Sequence, residues 1–142
     1  MHKKNIEYFV IHHAAYNFDG LDIYGSYDMI KRWHLGRGFS DIGYHFITLG
    51  PQTLYGRALD IPGAHVRGYN KKSLGQVICF DYRKRDLTGS EIDAVVDNYL
   101  SACVYCNRFL KFVGHGELTN TLCPGDKTMI DLRNAVKRRT ML

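Results

Sequence analysis

The residues Tyr8-Phe9-Val10-Ile11 are aromatic and β-branched with no polar interruption. Such a run suits a strand buried on both faces, because a strand with one wet face would alternate polar and apolar side chains. The strand delivers His12 and His13 at its end. Consecutive strand residues face opposite ways, so a single metal ion can use only one of the pair.

The other elements supply the layers such a strand needs. Ser26 is placed to cap a helix whose apolar positions Met29, Ile30 and Trp33 share one face before Gly36 and Gly38 end it, which puts Trp33 in the core. Gly43 to Leu49 and Thr53 to Arg57 read as two strands of a hairpin turned by Gly50-Pro51. Gln76 to Phe80 is a further buried strand. Thr88-Gly89-Ser90-Glu91 is a capping box, followed by Ile92, Val95, Val96, Tyr99, Leu100, Cys103 and Leu110 at the spacing of one helix face. A last helix turns Met129, Leu132 and Val136 inward and ends in Lys137-Arg138-Arg139, where cations suit the dipole. Strands interleaved with one long and two shorter helices predict a mixed α/β domain: a central sheet flanked by helices, with residues 1–142 as one unit.

The chemistry concentrates in Val113 to Asp126. His115 and Cys123 stand eight positions apart in a loop rich in Gly, Thr and Asn, which can bend so that imidazole and thiolate converge on one ion. Nitrogen and sulfur ligands suit zinc. Pro124 biases Cys123 toward extended backbone, so Thr121 points the way Cys123 points and sets a hydroxyl beside the metal. Two ligands are half a site. His12, at the end of its strand, is placed to meet them at one edge of the sheet.

Of the four cysteines, assigning Cys123 to metal leaves an odd three, which argues against a disulfide framework. Cys103-Val104-Tyr105-Cys106 has C-x-x-C spacing, but it lies on the apolar stripe of the long helix and reads as packing. A net charge of +5 favours a polyanionic partner. Lys3-Lys4, Lys71-Lys72, Arg83-Lys84-Arg85 and Lys137-Arg138-Arg139, with ten tyrosines, raise nucleic acid as one such partner. These clusters are scattered and read as solvated faces, so no nucleic-acid binding is expected. Tyr8 to Ile11 is too short for the apolar core of a signal peptide, and no apolar run approaches membrane-spanning length. Synthesis in a reducing cytosol without membrane insertion is the expectation.

Five stretches, in order, resemble one family: Val-Ile-His-His-Ala-Ala at 10–15, Ile-Lys-Arg-Trp-His at 30–34, Asp-Ile-Gly-Tyr-His-Phe at 41–46, Gly-Ala-His-Val-Arg-Gly-Tyr-Asn at 63–70, and Gly-His-Gly-Glu through Cys-Pro-Gly-Asp at 114–126. Together they look like the zinc-dependent N-acetylmuramoyl-L-alanine amidases, which include T7-type phage lysozymes and peptidoglycan recognition proteins. The resemblance implies a groove over one zinc per chain held by His12, His115 and Cys123. Tyr44 resembles the family's catalytic tyrosine. Thr121 stands where T7-type enzymes carry lysine, in the Thr-x-Cys-Pro-Gly pattern of the recognition proteins. The implied reaction is hydrolysis of the amide joining muramic acid to the first alanine of peptidoglycan, with Tyr44 in proton relay and Thr121 orienting.

His65, in an excursion from Ile61 to Ser73, is a candidate to line the groove, and Arg67, Tyr69, Asn70 and Lys72 are candidates for the carboxylates and hydroxyls of a muramyl peptide. His13, His34 and His45 read as structural. The rival reading is a module that recognises peptidoglycan without cutting it. The resemblance leaves a viral RNA polymerase partner undecided and suggests a phage or prophage lysin made in the host cytoplasm and acting on the cell wall after release.

Overall fold

The structure, a computed structural model, describes residues 1–141. Five strands, β1 (Tyr8–His13), β2 (Phe46–Leu49), β3 (Gln52–Tyr55), β4 (Ser73–Ile78) and β5 (Lys111–Gly114), form one sheet in the order β3-β2-β4-β1-β5. β1 lies between two parallel neighbours, with Val10 opposite Gly75 on β4 and Val113 on β5. β2 runs parallel to β4 and antiparallel to β3, closing the expected hairpin.

Helix α1 (Ile23–Gly36) packs on β2 and β3, whereas α2 (Gly89–Cys106) and α3 (Asp126–Thr140) pack on each other and on the sheet. Alternation along the strands feeds two apolar cores. Phe9, Ile11, Leu74 and Ile78 meet Val95, Tyr99, Cys103 and Leu132 on one face, while Ile47 and Val77 meet Ile30 and Ile42 on the other. The expected mixed α/β fold is present, with helices on both faces of the sheet. Cys103 and Cys106 are both buried in the larger core.

Several local expectations shift. α1 begins four residues early because Asp22, not Ser26, caps it: Asp22 Oδ1 accepts from the Gly25 N–H at 2.7 Å. Its buried face is Ile23, Ser26, Ile30 and His34, so Trp33 falls off that face and is 40% exposed, edge-on to Tyr16. β4 starts at Ser73 and stops at Ile78, since Cys79 and Phe80 pass into the next loop. β2 begins only at Phe46, leaving Tyr44 in irregular chain just before it. In α3, Met129 and Leu132 are buried as expected and Val136 packs at the margin.

The capping box of α2 is complete, and it is reinforced. Glu91 Oε1 accepts from the Thr88 N–H at 2.8 Å, and both carboxylate oxygens accept from the Arg85 guanidinium at 2.8 Å. Burial alone would raise this carboxyl, but Arg85 and Thr88 outweigh it and hold Glu91 below its ordinary 4.5. The resulting stability is present above that value and is lost as pH falls through the folded-state value. Glu91→Gln should therefore cost about 1 kcal/mol near pH 7, the figure for one hydrogen-bonded ion pair with a half-exposed partner. Urea midpoints of the two proteins should converge in acid; a gap independent of pH would rule out the ionised carboxylate as its source.

Candidate metal centre

β1 brings His12 to the sheet face that also carries Val10, and there the imidazole is 2% exposed. Its ring lies 5.2 Å from that of Tyr44 and 5.0 Å from that of His65. His115 opens a short 3-10 turn (His115–Glu117) directly after β5, the parallel neighbour of β1, so its ring comes within 4.5 Å of His12. Glu117 steadies that turn, accepting from the Gly114 N–H at 2.8 Å and from Arg133 at 2.6 Å.

Cys123 returns to the same point because its loop is zipped at the base. The Gly116 N–H donates to the Cys123 carbonyl at 2.8 Å, and a Cβ on Gly116 would sit 2.3 Å from the Thr121 carbonyl oxygen. Only glycine allows that approach. Ligand atoms of His12, His115 and Cys123 lie within 4.8 Å of one another. Two imidazoles and a thiol are a zinc-type donor set that leaves a fourth position open.

The protonation states fit. Burial, with His65 and His115 adding to it, keeps His12 well below its ordinary value, and burial lowers His115 as well. Both are neutral lone-pair donors near pH 7. Burial pushes the Cys123 thiol up to about 11 against the opposing His13 N–H, so a metal must displace a proton there.

A cleft of about 480 Å³ surrounds these donors and is lined by Tyr44, His65, Arg67, Asn70 and Thr121. Thr121 Oγ1 accepts from the Cys123 N–H at 3.3 Å, which leaves its own hydrogen to donate into the cleft. Asn70 is also a clamp, its Oδ1 accepting from the backbone N–H groups of His65 and Val66 at 2.9 Å each. Tyr69 is not brought to the cleft. Its ring packs against Tyr8 and under Lys72, so neither is placed to meet a ligand of the metal centre.

Several lining residues were not assigned a role in the cleft from sequence, among them His13, His34, Arg37 and Phe39. His34 Nδ1 accepts from the Gly43 N–H at 2.7 Å, and Arg37 and Phe39 stand at the end of the same helix. His13 touches the ligand sulfur from the other side of β1, through its backbone N–H at 3.3 Å and its Nδ1 at 3.1 Å. Strand alternation does turn His13 away from His12, but the Cys123 loop wraps the strand end and meets both. His34 carried one legible signal, its place one turn beyond the buried Ile30.

Two outcomes follow from this geometry. Zinc uptake should release close to one proton, from Cys123, so the apparent affinity should rise about tenfold per pH unit between pH 7 and 10; calorimetry in buffers of different ionisation heat counts the proton. Gly116→Ala should weaken zinc binding at least tenfold while leaving the far-UV spectrum unchanged, and wild-type affinity in that variant would show that the loop closure is dispensable.

Residues 2–126, a span that starts before His12 and ends past Cys123, match the family described as N-acetylmuramoyl-L-alanine amidase. Peptidoglycan-recognition protein SC2 of Drosophila melanogaster is 30% identical over 135 residues, 90% of this chain and 73% of that protein. The endolysin of Klebsiella phage KP32 is 47% identical over 47 residues, 32% of this chain and 31% of that protein. Among solved structures, a mutant of Drosophila PGRP-LB in complex with tracheal cytotoxin is similar with a TM-score of 0.78 at 28% identity, covering 89% of this chain and 79% of that one. The match takes in all three converging donors and the tyrosine beside them, and by it the chain belongs to the N-acetylmuramoyl-L-alanine amidase family.

Proposed function

We propose that this chain is a zinc-dependent amidase that hydrolyses the bond between N-acetylmuramic acid and the L-alanine of the peptidoglycan stem. The observation that carries the proposal is the convergence of His12, His115 and Cys123 in a cleft shared with Tyr44 and Thr121. When bound, zinc supplies Lewis acidity toward water and toward the scissile carbonyl at neutral pH.

The chain's own groups do the rest. Burial raises the Tyr44 phenol above its ordinary value and the nearby Cys123 adds to the rise, so Tyr44 keeps its hydrogen and acts as a donor. It is suited to hydrogen-bond the carbonyl oxygen as negative charge develops there. Thr121 donates from the adjoining wall; a hydroxyl of its kind orients and does not titrate. Arg37 and Arg67 line the cleft with cationic groups for stem-peptide carboxylates.

A second reading, recognition without cleavage, draws on the relatives named as peptidoglycan-recognition proteins. The complete donor set favours hydrolysis over it. The similarity to a phage endolysin supports a phage or prophage setting, with synthesis in the host cytoplasm and action on the wall after release.

Purified protein should hold close to one zinc and release free stem peptides from peptidoglycan, and Cys123→Ser should lose both. Tyr44→Phe should keep its zinc while kcat falls about 10²- to 10³-fold, the range for removing one transition-state donor. Zinc without release of peptides by the wild type would establish the recognition reading instead.

A further inference from the structure

His65 lies against the metal ligand rather than at the rim of the cleft. Its Nδ1 is 2.9 Å from His12 Nε2, and its Nε2 is 3.2 Å from the hydroxyl of Ser73, the first residue of β4. The Ser73 hydroxyl is buried and spends its one hydrogen on the Tyr69 carbonyl at 2.7 Å. Its oxygen can then only accept, so the hydrogen between Ser73 and His65 must sit on His65 Nε2. A neutral His65 with that hydrogen has a bare Nδ1, which must accept from His12 Nε2–H. The hydrogen of His12 is thereby held on Nε2, and Nδ1 is its lone-pair nitrogen.

The ring's seat is built for this. A Cβ on Gly75 would fall 2.7 Å from the His65 ring, and one on Gly63 would fall 2.6 Å from it. Asn70 pins the backbone of His65 itself.

We infer that Ser73 and His65 form a tautomer relay that carries the direction of one backbone carbonyl, that of Tyr69, to the metal ligand His12, and that His65 is a positioning residue for the zinc site. The inference rests on the zinc reading above. It assigns His65 to the metal rather than to the muramyl peptide. Partners that hold the second nitrogen of a ligating histidine typically change metal affinity 10- to 100-fold when removed.

The test separates acceptor chemistry from bulk. In His65→Asn the Oδ1, like Nδ1 one bond beyond Cγ, still accepts from His12; His65→Leu fills the slot with no acceptor. Chelator competition should show zinc bound 10- to 100-fold more weakly by His65→Leu and within about threefold of wild type by His65→Asn. Long-range proton–nitrogen NMR on the metal-free wild type should find His65 and His12 both protonated at Nε2, and Ser73→Ala should mix the His65 tautomers. A folded His65→Leu with wild-type zinc affinity, or a wild-type His65 protonated at Nδ1, overturns the relay. The NMR arm uses neither zinc nor substrate, so the relay can fail while the amidase reading stands, or survive if that reading falls.

Discussion

The structure depends on β1 having a parallel neighbour on each side. Hydrogen bonding to β4 and β5 satisfies its backbone along both edges, and that is what permits both of its faces to be dry. Because β5 is parallel to β1, the chain leaving β5 emerges beside the end of β1, and His115 needs no long excursion to meet His12. The meeting of these two candidate ligands is in this sense a consequence of strand order. An antiparallel β5 would carry the residues after it to the opposite end of the sheet.

Around that point the histidines are directed largely by backbone groups. His34 Nδ1 accepts from Gly43, and His45 accepts from Gly75 at Nδ1 and faces the Ile61 carbonyl at Nε2. Burial holds both at about 4, so they remain neutral over the range in which the protein would work. A peptide group cannot change its hydrogen's position as pH or ligand changes. Histidines anchored in this way keep one tautomer, and the cleft is organised before anything enters it.

The Cys123 side is organised differently. Its loop has little core of its own and is held by the Gly116–Cys123 bond, by Glu117 bridging the turn to Arg133, and by Tyr82, which packs on His13 and leaves no room for a Cβ at Gly125. The thiol is costly to ionise where it lies, and the His13 N–H is the group that lowers that cost. The candidate ligand that would give up a proton thus stands on the loop, whereas the two that stay neutral stand on the central strand, His12, and directly after its neighbour β5, His115.

The sequence alone determined the elements whose signal is local. The apolar run of β1, the Thr88–Glu91 box, the hairpin at Gly50-Pro51 and the His115–Cys123 spacing are each written within a few residues, because caps, turns and strand burial are short-range physics. The end of the first strand offered His12 and the extended backbone before Pro124 offered Thr121, the family motifs added Tyr44, and the structure draws all three to one cleft. Only the tertiary structure showed that Asp22 rather than Ser26 caps α1, and that the buried face runs through Ile23, Ser26, Ile30 and His34 with Trp33 beside it, because which stripe of a helix is buried is decided by what it packs against. Likewise only the fold could show that Tyr69 turns away from the cleft while His65, four residues earlier, reaches a ligand. Loop residues have no fixed periodicity, and their directions are set by what the chain packs against: here Gly75 and Ser73 on a strand later in the chain.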